Sequence, residues 1–292
     1  MGIQDKPLRA AAAGLLLGLV ALGAAAQATN SLPPDKAGFN LFNPVPDTGL
    51  RELNSDRPDE TESPYTVDAG HFQWEMDFAN YRHAKTGGAT TQAWNVAPFN
   101  LRAGLFDATE LDLIFDNYLN VHSEFPAVGK SQNQSGVGDL TARLKINLWG
   151  NDGGKTAFAL LPFVKFPTST DGLGNNAVEG GLILPLAATL PGDFDLGCET
   201  GVHFGLDQGG GNYHADFLNS VTLDHALFGR LSGYLEFYSE ISTEPRTDWV
   251  GTVDVGLEYL LTKNIQLDCG CNFGVTSAAA DFNPFTGITV RF

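Results

Sequence analysis

Residues 71–82 read HFQWEMDFANYR, and this stretch decides the fold class. Large apolar residues at the even positions from 72 to 78 alternate with polar or charged residues at the odd positions from 71 to 77. Successive residues of a strand point to opposite faces, so the alternation predicts a strand with one apolar and one charged face. Similar runs recur to the end of the chain, and together they predict about twelve strands. No helical period competes over a comparable length.

The start of the chain has a different composition. Lys6 and Arg9 precede an apolar run over residues 10–26, which ends at Ala26-Gln27-Ala28. These are the three parts of a secretory signal peptide, and the run is shorter than the roughly 20 residues that a spanning helix needs. We therefore expect a signal peptide over residues 1–28, a Pro-rich periplasmic arm or plug over residues 29–69, and the strand-rich domain over residues 70–292.

The connections between the predicted strands alternate in length. Tight turns are predicted at 106–109, 150–154, 191–193, 228–230 and 262–264, and longer loops lie between them at 83–90, 122–138, 168–177, 207–213, 242–248 and 276–286. Short turns on one side and long loops on the other are typical of an up-and-down outer-membrane barrel with an even number of strands. The sequence therefore predicts an all-β, transmembrane, antiparallel β-barrel of about 12 strands in the outer membrane of a Gram-negative bacterium.

Aromatic residues support the prediction of a membrane barrel, because such barrels carry aromatic girdles at the membrane boundary. The last strand alternates in the same way, with Ile288, Val290 and Phe292 on its apolar face. This ending resembles the terminal aromatic signal that the barrel-assembly machinery recognises. Seven aromatics beside the tight turns and the termini are predicted to form one ring: Phe72, Phe106, Trp149, Phe194, Phe228, Tyr259 and Phe292.

Composition excludes several classes of function. With 17 basic against 34 acidic residues the net charge is −17, which disfavours binding to nucleic acid because that affinity depends on Lys and Arg. The three cysteines, Cys198, Cys269 and Cys271, are too few for a disulfide scaffold and lack metal-ligand spacing, so we predict no metal site and no cofactor. The sequence contains no nucleophile elbow, Walker loop or HExxH motif, and we predict that the protein is not an enzyme.

Charged residues opposite the apolar faces are predicted to point into the barrel. Two interpretations stay open, since these groups either form paired networks that fill a narrow barrel or line a transport path. The predicted lumen residues are Glu75, Asp77, Asp112, Asp116, Arg143, Lys145, Lys165, Glu199, Asp224, Glu236, Glu240, Asp254, Glu258, Asp268 and Arg291.

The segment SDRPDETESPYTVDAGHFQWEMDF, with GVGDLTARLKINLW and PFVKFPTST, resembles the outer-membrane transporter family labelled "MetA-pathway of phenol degradation". A motif like DRPD-x-TESP lies just before the first barrel strand in that family, and the resemblance runs from about Ser55 to Phe292. It implies a barrel that passes small organic molecules, and it carries no catalytic residues. The matching positions are Asp56, Arg57, Pro58, Asp59, Thr61, Glu62, Ser63 and Pro64.

Three functions are compatible with these patterns. The preferred one is a narrow, passive channel for small organic solutes, aromatic ones included; the others are a closed structural or adhesive barrel and a barrel-embedded hydrolase. The partners expected from the sequence are outer-membrane lipid, the barrel-assembly machinery and a small organic solute. The oligomeric state stays open.

Overall fold

The fold is given by a computed structural model that describes residues 35–170 and 172–292. The predicted signal peptide and the first residues of the arm lie outside the described residues. No helix in the described ranges is long and apolar enough to cross a membrane. From Phe72 onward the described chain is mostly strand, with one short 3-10 turn at Pro126–Val128.

The strands recur at short intervals from residue 72 to the end of the chain. In chain order they are β1 (Phe72–Thr86), β2 (Ala89–Val96), β3 (Phe99–Phe106), β4 (Thr109–Phe115), β5 (Tyr118–Phe125), β6 (Lys130–Gly136), β7 (Leu140–Trp149), β8 (Thr156–Phe166), β9 (Glu179–Leu190), β10 (Phe194–Leu206), β11 (Tyr213–Phe228), β12 (Leu231–Ser242), β13 (Val250–Thr262), β14 (Ile265–Gly274) and β15 (Phe282–Arg291).

These fifteen segments make a closed barrel of twelve antiparallel strands. The pairs β2–β3, β4–β5 and β6–β7 each follow one another along a single strand path, and β15 pairs with β1 to close the sheet. The predicted fold class and strand number are therefore confirmed.

The strand path from residue 89 to 106 is interrupted between β2 and β3. Pro98 has no N–H for the ladder and Ala97 adopts a positive φ of 55°, so β2 and β3 separate there.

Three of the predicted long loops are also shorter than expected. Residues 83–90 continue β1 and β2 to a two-residue turn, because Gly87 and Gly88 both take positive φ, at 61° and 79°, as a type I′ hairpin requires. Residues 122–138 are mostly the β5–β6 hairpin, and β15 begins at Phe282, five residues before the predicted start. The five predicted tight turns lie where the sequence placed them, on the side of both Phe72 and Phe292.

The faces of the sheet are inverted relative to those of a soluble protein. On β12, for example, Leu235 is 55% and Phe237 38% exposed, whereas Glu236 between them is 1% exposed. The seven aromatics predicted beside the turns and termini are all on the exposed surface. An apolar exterior on a closed sheet suits lipid, which offers the backbone no hydrogen bonds. The protein is an outer-membrane β-barrel.

The seam between β1 and β15 is held at its end by the terminal residue. Phe292 and Phe72 exchange two backbone hydrogen bonds of 2.9 Å, and their rings stack with centroids 6.2 Å apart. On the same strand Ile288 and Val290 border an exterior groove with Phe292, while Thr289 and Arg291 are buried on the inner side. The proposed assembly signal therefore also closes the barrel.

We predict that Phe292→Asp lowers the yield of folded protein in the outer membrane. The matched control is Phe228→Asp, since Phe228 is an exposed aromatic next to a periplasmic turn and a charge near the interface costs only about 0–1 kcal/mol. Heat-modifiable migration of membrane fractions measures both. An equal loss in the two variants would contradict a specific role for the terminal residue.

Candidate functional site: the occupied lumen

The lumen is occupied by the segment that precedes the first strand. Residues 51–68, the luminal arm, touch inward-facing side chains of strands spaced around the barrel, from β1 through β7 and β10 to β14. Upstream of the arm, Val45 N–H donates to the carbonyl of Ala69, so the chain doubles back at the periplasmic end before it enters β1. The arm therefore lies inside the barrel and is held at both of its ends.

Basic residues of the wall bind Asp56. Lys145 Nζ lies 2.6 Å from its carboxylate, and Arg102 lies 3.4 Å from it. Arg102 also contacts Glu75 at 2.8 Å and Glu110 at 2.7 Å, and the side chains of this cluster are almost wholly buried. Such charges are tolerated because each carboxylate faces a cation.

Arg57 binds the opposite wall. Its guanidinium lies 2.6 Å from both Asp77 on β1 and Asp268 on β14. A Cβ at position 287 would lie 2.2 Å from the guanidinium, so Gly287 on β15 is required for this close approach. Ser55, two residues earlier, shares a 2.8 Å hydrogen bond with Thr289 of the same strand.

The second half of the motif uses backbone donors. The N–H groups of Glu60 and Thr61 donate to Glu236 at 2.9 and 2.8 Å, and the N–H of Glu62 donates to Glu199 at 2.8 Å. The Glu62 carboxylate pairs with Arg143. The motif singled out in the sequence is thus a set of contacts that dock the arm against the barrel wall.

A second ionic cluster clamps the periplasmic end. Lys36 and Arg51 bridge Asp68 to Asp152 on the β7–β8 turn, with Lys36 Nζ 2.9 Å from Asp68 and 2.8 Å from Asp152. Partial burial disfavours the charged form of Asp152, but hydrogen bonds and charge contacts with Arg51 and Lys36 outweigh this effect and lower its pKa.

Each residue predicted for the lumen lies on the inner side of the barrel or at its mouth. Glu75, Asp77, Arg143, Lys145, Glu199, Glu236 and Asp268 contact the arm. The others contact the wall, the loops or the cavity described below; Lys165, for instance, pairs with Glu179 and Asp116 accepts from Asn95. Their part in transport stays a prediction. The remaining members are Asp112, Asp224, Glu240, Asp254, Glu258 and Arg291, of which Arg291 also donates to the arm at the carbonyl of Arg51.

Two central residues were missed by the sequence reasoning. Arg102 follows Leu101 on β3, and Glu110 precedes Leu111 on β4, so the same alternation would have placed both in the lumen. The contacts between the arm and the wall had no such signal, because the arm has no period.

A cavity of about 420 Å³ remains beside the arm, facing β10 to β14. It is bordered by the arm on one side and on the other by inward residues such as Asp224, Tyr234, Glu258 and Gln266. This volume lies within the range of small-molecule sites.

The histidines bear on the hydrolase alternative. Their ring nitrogens contact carboxylates or backbone carbonyls, the partners being Val45 O, Asp281, Glu124, Asp216, Asp207 and Asp193 O for His71, His83, His122, His203, His214 and His225 respectively. None of these contacts is the Ser–His pair that a barrel hydrolase would use.

Within residues 35–170 and 172–292, two groups of side chains have metal-ligand spacing. Asp56, Glu110 and Asp112 already face Lys145 and Arg102, whereas Asp207, His214 and Glu244 lie among the extracellular loops. The predicted absence of a metal stays a prediction.

Comparison with known proteins identifies a family. The family model described as "Putative MetA-pathway of phenol degradation" matches residues 55–292. No curated protein matches the chain at a significant level.

Several solved barrels are similar in fold. An outer membrane channel from Pseudomonas putida F1 has a TM-score of 0.54 at 15% identity, covering 82% of this chain and 100% of that chain. The transport unit of the autotransporter AIDA-I from Escherichia coli has a TM-score of 0.49 at 11% identity, covering 82% and 92%. The translocator domain of NalP from Neisseria meningitidis has a TM-score of 0.48 at 11% identity, covering 76% and 88%.

We predict that Arg57→Ala releases the arm from the wall. The change leaves Asp77 and Asp268 without their shared cation, and removing one partner of a buried pair costs about 3 kcal/mol or more. Limited proteolysis and hydrogen exchange over residues 51–68 measure the loss of docking. Arg57→Lys keeps the positive charge but loses the guanidinium that contacts both carboxylates, so we expect an intermediate protection of the arm. The control is Arg246→Ala in an exposed loop. Unchanged protection of the arm in Arg57→Ala would contradict the docking role.

Proposed function

Because the chain belongs to the family described as "Putative MetA-pathway of phenol degradation", we propose that it is a narrow, passive outer-membrane channel for small organic solutes. The resemblance read from the motif is confirmed by the family match, which begins at the same residue, Ser55. The observation that carries the proposal is the arm, which occupies the lumen and is held there by ion pairs and hydrogen bonds instead of a packed apolar core.

Barrel size supports a narrow path. Barrels of about 8 strands are filled by their own side chains and those of 16–18 strands leave an aqueous channel. Twelve strands enclose an intermediate lumen, and here the arm takes up the centre of it. A solute larger than the remaining space requires the arm to move.

The chemistry of the contacts supports a movable plug. When the arm moves, water can hydrogen-bond to the carboxylates and N–H groups that the arm had occupied, whereas lost apolar contacts would have no such replacement. The solute class is taken from the family description and from the polar lumen. The P. putida barrel of similar fold is itself an outer membrane channel.

A closed structural barrel is the second candidate. The observation that favours it is the number of arm residues fixed at once to opposite walls, among them Asp56 to Lys145 and Arg57 to Asp268. If these contacts never open, the lumen is shut. The absence of catalysis is part of the same proposal, because the described histidines are engaged without a serine.

We predict that arm position controls conductance. Deletion of residues 29–64 is expected to raise single-channel conductance in planar bilayers. Thr61→Cys/Ser220→Cys, in a background with the three native cysteines changed to serine, is expected to lower it when oxidised, because the two hydroxyls lie 2.6 Å apart. The same variant after reduction is the control. No conductance with or without the arm would favour the closed structural barrel.

We also predict cation selectivity. Among the residues assigned to the lumen, acidic side chains outnumber Arg143, Lys145, Lys165 and Arg291, and rings of carboxylates favour cations. In a salt gradient the reversal potential should lie toward the cation equilibrium value.

Asp254→Asn/Glu240→Gln should move the reversal potential toward zero, since neither carboxylate anchors the arm. The control Glu124→Gln/Asp281→Asn removes the same charge from the extracellular side. An anion-selective native channel would contradict the charge argument.

A further inference from the structure

The cavity beside the luminal arm contains an unusual arrangement of charge. Asp195 on β10 and Asp224 on β11 are directly opposite in the sheet register, and both border the cavity. Like charges directly opposite each other destabilise a sheet. Glu258 on β13 and Asp59 of the arm border the same space. Four carboxylates therefore converge on one cavity.

These four carboxylates lack basic partners. In the described parts of the chain, the carboxylate oxygens of Asp59, Asp195, Asp224 and Glu258 have no side-chain nitrogen of Lys, Arg or His within 4.0 Å. On the side of the lumen that carries Arg102, by contrast, Glu110 has such a partner. The protein does not supply the compensating charge at this cavity.

The arginines that border the cavity are engaged elsewhere. Arg57 is bound to Asp77 and Asp268, and Arg51 to the periplasmic clamp. Arg291 donates to Asn264 and to the carbonyl of Arg51. None of the three is left to neutralise the group of four carboxylates.

Neutral polar groups at the same cavity are also without partners. The side chains of Tyr234 and Gln266 border it and are 6% and 7% exposed, and the Tyr234 hydroxyl and the Gln266 N–H₂ have no hydrogen-bond partner. Buried polar groups are normally satisfied, so unpaired ones that border a cavity point to a ligand. This observation is independent of the carboxylates.

We propose that this cavity binds a small organic cation, with an ammonium group among the four carboxylates and its polar atoms on Tyr234 and Gln266. The cavity favours an organic molecule over a bare metal ion, because its volume of about 420 Å³ far exceeds that of one ion. Apolar surface for such a molecule comes from Leu53, Ala187, Ala188 and Leu196. An organic cation is then the solute class of the proposed channel. The physiological meaning of the cation site rests on that proposed function. Binding is independent of whether the lumen conducts.

The test is binding of three probes of nearly equal size to the full mature protein in detergent. Benzylamine carries a positive charge, benzyl alcohol none and benzoate a negative one, and isothermal titration measures each. We expect benzylamine to bind about tenfold or more tightly than benzyl alcohol, since hydrogen bonds to charged groups contribute about that factor, and benzoate not to bind. Equal binding of benzylamine and benzyl alcohol, or binding of Ca²⁺ in place of benzylamine, would overturn the proposal.

Substitutions locate the site. Asp224→Asn/Glu258→Gln should lower benzylamine affinity about tenfold or more and leave the thermal unfolding midpoint unchanged or higher, because it relieves like-charge repulsion. Glu124→Gln/Asp281→Asn, with the same change in net charge outside the cavity, should keep the native affinity. Equal losses in the two variants, or an unchanged affinity in the first, would refute the site. A barrel that binds benzylamine without conducting would refute only the channel.

Discussion

Lipid cannot hydrogen-bond the peptide backbone, and the rest of this structure depends on that constraint. The sheet must close on itself, which it does where β15 meets β1, and every strand must then carry its apolar side chains outward. The polar side chains have no other place than the interior. A soluble protein stabilises its fold with an apolar core, whereas this one must solve the problem of many charges in a confined space.

The luminal arm is the main solution to that problem. It brings Asp56 to the basic wall and Arg57 to the acidic wall, and it places backbone N–H groups on Glu236 and Glu199. Charges that would be costly alone become members of networks. The compensation is uneven, because the side of the lumen from β10 to β14 carries carboxylates without basic partners, the four at the cavity among them.

The strands could be predicted from the sequence because their signal is local. Alternation alone places Glu236 inward between Leu235 and Phe237, and it would have placed Arg102 and Glu110 as well. Local patterns fail where geometry is set by distant residues. Arg57 finds Asp268 211 positions away, and no periodicity in the arm announces that contact. The break at Pro98 and the extension of β1 to Gly87 depend on backbone chemistry that alternation does not report.

The anchors of the arm have a consequence for the barrel as a mechanical object. Ser55, Asp56 and Arg57 attach to β1, β14 and β15, the strands that form or flank the closing seam. Docking of the arm and closure of the seam are therefore linked equilibria, and linkage is reciprocal: the free energy by which a docked arm tightens the seam equals that by which a closed seam retains the arm. Plug and seam behave as one cooperative unit.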